Sequence, residues 1–188
     1  MVKKFLLLVF VLPITLFAQE NEQIVKKGLL RTTGTISFGQ LTNHQQTNLY
    51  LTGNTEYFTN EHITARGDIY YYLKSGDKQM LNQNHQLFAG ASYHINSTSK
   101  FVPYIGIQPG IAITQSNEVS IDMKNNVTVT PLISSVTGFN YFASKWFHLF
   151  IDGRYVAGKH TSNHTPISLN EFRLSFGLGF NLNVLTKN

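Results

Sequence analysis

The chain has 188 residues, and only 13% of them are charged, compared with about 25% in typical soluble domains. It contains no cysteine, which excludes disulfide scaffolds, thiolate metal sites and cysteine nucleophiles. No internal apolar run reaches the roughly 20 residues of a membrane-spanning helix. These properties favour a β-rich domain with few charges on its surface.

The first 18 residues have the pattern of an export signal. Lys3 and Lys4 precede an apolar stretch from Phe5 to Phe17, and the small Ala18 comes just before a polar segment. The pattern predicts a signal peptide over residues 1–18 and one barrel domain over residues 19–188. Removing Lys3 and Lys4 leaves 13 basic and 10 acidic groups, a net charge of +3. That excess is too small and too scattered to indicate nucleic-acid binding.

The remaining chain alternates between apolar and polar residues, which is the period of a β-strand with two different faces. Pro103 and Pro109 lie on the same face as the apolar residues of the stretch Phe101–Gln115. Because proline weakens the hydrogen-bond ladder locally, they predict a bulge there. Eight alternating stretches follow one another: Leu29–Leu41, Asn48–Phe58, His62–Lys74, His85–Asn96, Phe101–Gln115, Val127–Tyr141, Trp146–Val156 and Asn170–Val184.

The connections between these stretches alternate between short and long, as in an outer-membrane barrel. Each stretch is also long enough to cross a bilayer at a tilt. Aromatic residues near the short turns predict an interfacial girdle. Its members would be Tyr57, Phe58, Tyr93, Phe101, Tyr141, Phe142, Trp146 and Phe147. The fold class predicted is therefore all-β, an eight-stranded antiparallel up-and-down transmembrane β-barrel.

The orientation of the two faces is decided by the charged residues, because a soluble ligand-binding barrel has the same alternation with its apolar face inside. All four arginines of the chain share the polar face in mid or late strand with four carboxylates, whereas the lysines lie almost entirely in turns, loops and tails. A balanced, arginine-rich set fits an enclosed lumen, where an unpaired charge would be costly. The predicted lumen charge network is Arg31, Glu56, Arg66, Asp68, Asp152, Arg154, Glu171 and Arg173.

An eight-stranded barrel is just wide enough for its own side chains to fill it. The polar face also carries large uncharged side chains, so a plugged lumen is predicted rather than a wide water channel. These additional side chains are Tyr50, Tyr70, Tyr72, Tyr104, Gln108, His148 and Phe150.

Three segments carry a resemblance to a known group: FVPYIGIQPGIAI, GFNYFASKWFHLFIDGRY and FRLSFGLGFNL. With them, essentially the whole chain after residue 18 resembles the small outer-membrane β-barrels of Gram-negative bacteria, the porin-like and OmpX/OmpA-type families. The resemblance implies an outer-membrane location and contact with outer-membrane lipid and lipopolysaccharide. It also implies a structural, interaction or porin-like role as a monomer, with surface ligands reached through the longer loops. Such patterns define a fold class rather than one activity.

The last long loop is similar to that of PagL, the lipid A deacylase barrel family. His160, Ser162 and Glu171 would match its base, nucleophile and orienting acid, and Asn163 an oxyanion donor. Because His160 and Glu171 have the parity of the predicted inward face, away from lipid, the preferred interpretation is a barrel without chemistry of its own. The His160 and His164 spacing has no evident third ligand, so neither a metal nor another cofactor is expected.

Overall fold

The computed structural model of the chain describes residues 24–43, 46–76, 81–95, 98–116, 127–160 and 166–185. In these ranges no helix is long and apolar enough to cross a membrane. The predicted signal peptide, residues 1–18, lies outside them. The described residues form nine strands: β1 (Leu29–Leu41), β2 (Thr47–Phe58), β3 (Ile63–Ser75), β4 (Leu81–His94), β5 (Phe101–Ser116), β6 (Val127–Tyr141), β7 (Phe147–His160), β8 (Ile167–Ser168) and β9 (Glu171–Asn183).

The eight long strands close into a cylinder. Each pairs antiparallel with the next along the chain from β1 to β7, β7 pairs with β9, and β9 pairs with β1. The short β8 continues the line of β9, because His160 opposite Ile167 keeps the register of Val156 opposite Glu171. The prediction of an eight-stranded antiparallel up-and-down barrel is therefore confirmed.

Most strand limits agree with the sequence prediction to within a residue or two, but β4 and β7 are longer. β4 begins at Leu81 rather than His85, and a register shift lies between Leu81 and Gln83. The residues at the start of this strand are mostly polar, so they show no alternation between apolar and polar side chains. β7 continues to His160 rather than Val156, which shortens the last long loop.

The prediction of a bulge at Pro103 or Pro109 is wrong. The β5–β6 ladder keeps one register from Phe101 opposite Tyr141 to Gln115 opposite Val127. Towards β4, the register is the same on both sides of Pro109, and only the ladder contacts at that point are missing. Proline removes one donor from the ladder, and here the neighbouring pairs keep the strand in register.

The exterior of the barrel is apolar and the interior polar. Along β9, Phe172, Phe176 and Phe180 are 54–65% exposed, whereas the alternate Glu171 and Arg173 are at most 4% exposed. A continuous apolar exterior is unfavourable in water and is what a bilayer requires. The orientation excludes the soluble barrel with its apolar face inside.

Two members of the predicted aromatic girdle lie elsewhere. Phe58 and Phe142 are fully buried and point into the base of the barrel, the end with the short turns. Phe58 has the parity of the inward Glu56, and Phe142 directly follows the outward Tyr141. The remaining girdle residues are at least partly exposed on the exterior: Tyr57, Tyr93, Phe101, Tyr141, Trp146 and Phe147.

Candidate functional site: the barrel lumen

The structure places the eight sequence-predicted charged side chains inside the barrel, where each is at most 4% exposed. They form three clusters at different heights, set by how far along its strand each residue lies. The basal cluster contains Arg31 and Glu56, the central cluster contains Arg66, Asp68, Asp152 and Arg154, and the upper cluster contains Glu171 and Arg173.

The central cluster crosses the lumen between β3 and β7, which lie opposite each other in the eight-strand cylinder. Arg66 donates to Asp68 on its own strand, with Nη2 2.8 Å from Oδ1, and reaches Asp152 across the barrel at 3.4 Å. Arg154 of β7 forms a second ion pair across the lumen, with its Nη2 2.9 Å from Asp68 Oδ1. Gln108 donates to Asp68 Oδ2 at 2.7 Å. Opposite walls are thus joined by alternating charges.

The upper cluster is centred on one carboxylate. Arg173 donates to Glu171 Oε2 at 2.6 Å and to Gln86 Oε1 at 2.8 Å. Tyr50 and Asn48 donate to the same carboxylate at 2.9 Å and 2.8 Å. The Arg173 guanidinium also lies 4.3 Å from the centroid of the Tyr50 ring, a cation–π distance.

The basal cluster lies on one side of the lumen. Glu56 pairs with Arg31, the residue directly opposite it on β1, and accepts hydrogen bonds from Thr64 and from His94 Nε2, the latter at 2.9 Å. The Arg31 guanidinium lies 5.3 Å from the centroid of the Phe58 ring. The basal charges therefore contact the apolar residues that close this end.

Both ends of the lumen contain apolar clusters. At the base, Val25 from the segment before β1 packs with Leu29, Phe58, Val102 and Phe142. At the other end, Ile167 of β8 and the following Leu169 are buried. They belong to one apolar cluster near the upper charges. Its other members are Tyr50, Tyr70, Tyr72, Leu81, Phe88, Ala112, Leu132 and Val156.

Inward-facing glycines give the large interior side chains space against the wall. A Cβ at Gly110 would lie 2.3 Å from a Phe88 ring atom, and one at Gly158 would lie 2.2 Å from Leu132. A Cβ at the outward Gly34 would have nothing within 4 Å. The interior is therefore closely packed, with large side chains in contact with the backbone of these glycines.

The candidate catalytic set is only partly described. His160 and Glu171 are buried and face the interior, and His160 Nδ1 lies 2.7 Å from Thr114 Oγ1. Ser162, Asn163 and the paired His164 lie outside the described residues. Among the residues that are described, no group of three or more His, Asp or Glu side chains has metal-binding geometry.

Four further buried residues complete the clusters. The alternation places Gln86 and His94 on the polar face of the fourth stretch, whereas sequence reasoning missed Asn48 and Asn84. Each has the inward parity of its strand, so the period identifies them.

A scan against protein-family models finds no match, and neither does a comparison with curated proteins. Solved structures do match. OprG of Pseudomonas aeruginosa superposes with a TM-score of 0.65 at 10% identity, covering 85% of this chain and 98% of that one. Neisserial surface protein A gives 0.61 at 13% identity, covering 82% and 96%. Ail of Yersinia pestis, in complex with the heparin analogue sucrose octasulfate, gives 0.52 at 11% identity, covering 83% and 99%.

These likenesses establish the fold, that of the small outer-membrane barrels. The lipid-facing exterior described above agrees with that fold. Together they define the protein as an outer-membrane β-barrel.

Proposed function

We propose that this protein is a non-conducting outer-membrane barrel whose lumen is a plug of paired charges, and that its role is structural or interactive. The observation that carries the proposal is the central cluster, in which Arg66, Asp68, Asp152 and Arg154 bridge opposite walls. Hydrogen-bonded ionic networks of this kind are rigid when their members are paired. A solute path would have to break these pairs, and the apolar clusters at both ends would obstruct it further.

Planar-bilayer conductance of the purified protein tests the plug. We expect no stable open steps, in contrast to a 16-stranded porin measured as a positive control, which has an aqueous channel. Stable, uniform open channels in the unmodified protein would contradict the proposal and favour a porin-like role.

The same proposal assigns the barrel no chemistry of its own. A PagL-like deacylase must present its catalytic groups to lipid, but Glu171 is held inside by Arg173, Tyr50 and Asn48. Mass spectrometry of lipid A from cells with the protein, with Ser162→Ala, and without the protein should give identical acyl patterns. Loss of an acyl chain that depends on Ser162 would establish the esterase instead.

We place the interactions of the barrel, as a monomer, at the loop end opposite the short turns. The longer connections of the sequence lie at this end, so their residues are the ones we expect to meet water and surface molecules. Ail, a neighbour in fold, has been solved with a heparin analogue. Replacing residues 117–126 by a Gly-Ser turn should preserve the folded barrel and abolish any binding of sucrose octasulfate, measured by titration calorimetry. Binding that survives the replacement would put the ligand elsewhere.

A further inference from the structure

A concave pocket of about 640 Å³ lies on the outside of the barrel at the short-turn end. Lys26 and Lys27 form one side of it, the β2–β3 turn with Asn60, Glu61 and His62 forms another, and Ile63 and Tyr93 form the third. Short turns face the periplasm in outer-membrane barrels, so this pocket lies at the periplasmic surface of the bilayer. It joins basic side chains to residues of the lipid-facing wall.

The basic side of the pocket is fixed in place. Gly28, which follows Lys27, has a φ of 85°, and its N–H donates to Phe58 O at 2.9 Å. Val184 N–H donates to Gly28 O at 2.9 Å. Val25 and Leu29 are buried on either side of the two lysines. The chain is thus held at both flanks while Lys26 and Lys27 remain exposed.

The turn side is also ordered by specific contacts. Asn60 Oδ1 accepts hydrogen bonds from the N–H groups of His62 and Ile63, each at 2.8 Å. His62 Nδ1 lies 2.9 Å from His94 O, and its ring stacks on Tyr93 with centroids 5.6 Å apart. A preorganised wall of this kind loses little conformational freedom when a ligand binds.

Above the pocket the exterior wall forms a shallow trough of small residues. Ile63 lies opposite Tyr93 on β4, and above them Ala65 lies opposite Ala91. Gly67 lies opposite Ala89 and continues this line. A second depression of about 380 Å³ adjoins Gly67, Ile69 and Leu87 and extends sideways over β2 and β1 to Gly53 and Thr32. Six residues at about 3.4 Å each, tilted by about 40°, rise about 15 Å. That height is half of the ~30 Å hydrocarbon core, the depth of one leaflet.

We propose that the pocket and trough bind one anionic phospholipid of the periplasmic leaflet. Its phosphate would lie against Lys26 and Lys27, and one acyl chain would lie along Ala65, Ala91 and Gly67. Two lysines and Glu61 give the lining a net charge of +1 with His62 neutral. A phosphatidylglycerol headgroup, with one negative charge and no amine, complements that charge, whereas phosphatidylethanolamine has no net charge.

Native mass spectrometry of the whole protein, with phosphatidylglycerol or phosphatidylethanolamine of identical acyl chains, tests the proposal. Each basic group near an anionic surface contributes about a factor of five, so Lys26→Gln/Lys27→Gln should weaken phosphatidylglycerol binding about 25-fold. Ala91→Leu should also weaken it, because the larger side chain fills the trough while facing lipid. A matched control, Lys100→Gln/Lys145→Gln, removes two lysines near other short turns and should change binding by less than about twofold.

The shift in gel mobility on heating shows in each case that the variant is folded. Equal binding of the two lipids, or unchanged binding in the Lys26/Lys27 variant, would overturn the proposal. Loss of binding only through the lysines, with Ala91→Leu unaffected and inorganic phosphate competing, would also overturn it, since the site would then hold free phosphate rather than a lipid. Because none of these residues belongs to the plug, the test is independent of the conductance result.

Discussion

The central and basal clusters of the lumen both pair arginines with carboxylates, but in different geometries. In the centre, Asp68 is held by Arg66 on its own strand and by Arg154 on the opposite wall. At the base, Glu56 is held by Arg31 and His94 from nearby strands on one side of the lumen. The difference shows that the charges of one barrel can have two tasks. The central set holds opposite walls together, and the basal set fixes one part of the rim.

The largest effect is expected for Asp68→Asn. The change leaves Arg66 and Arg154 buried with only part of their charge compensated, which costs about 3–5 kcal/mol when a buried pair is broken. The free energy of unfolding, measured by urea titration in detergent with the fluorescence of Trp146, should fall by this amount. The outward Ile69→Val on the same strand is the matched control and should cost much less. A small effect of Asp68→Asn would remove the distinction between the clusters.

A smaller loss is expected for Glu56→Gln. The amide oxygen still accepts from Thr64 or His94, and Arg31 keeps its contact with the Phe58 ring. The change leaves Arg31 buried without its carboxylate partner, so we expect a destabilisation of about 3 kcal/mol, the lower end for a broken buried pair. The cost should be lower than at Asp68 because one guanidinium loses its partner here, whereas two lose it there. The same urea titration measures it. A cost equal to that of Asp68→Asn would show that crossing the lumen adds nothing.

The smallest of the three effects concerns the wall beside the central cluster. A Cβ at Gly138 would lie 2.4 Å from the backbone oxygen of Ile151 and 2.8 Å from both Tyr104 Oη and Asp152 Cβ. Gly138→Ala should therefore cost about 1–3 kcal/mol through overpacking. Gly34→Ala, on the exterior, should stay within about 0.5 kcal/mol. Equal effects at the two glycines would indicate that the interior is looser than its contacts suggest.

The fold was predictable because its signal is local. The alternation in β9 is read from adjacent residues, and the facing of each arginine follows from its parity. The hidden start of β4 shows the limit, since a polar run such as Asn82–His85 has no visible period. Phe58 and Phe142 show another, because an aromatic residue near a turn indicates the interface only when its parity is also outward.

The contacts inside the lumen were beyond sequence reasoning for a geometric reason. Arg173 meets Gln86, 87 residues away, and Arg66 meets Asp152, 86 residues away. Which inward residues share a height depends on strand tilt and on the stagger of all eight strands together. Alternation determines the face of a side chain but contains no information about its partner across the cylinder.

The seam between β1 and β9 has a consequence for how the molecule assembles. Ser37 and Ser175, whose hydroxyls lie 3.0 Å apart, are separated by 138 residues of chain. Neither strand has all its backbone partners until the other arrives, and an open edge is not tolerated in hydrocarbon. The pairing of β1 with β9, which joins the strands farthest apart in the described chain, is thus also the one that completes the structure. Such contact order slows folding, and it makes insertion an event of the whole chain rather than of one hairpin at a time.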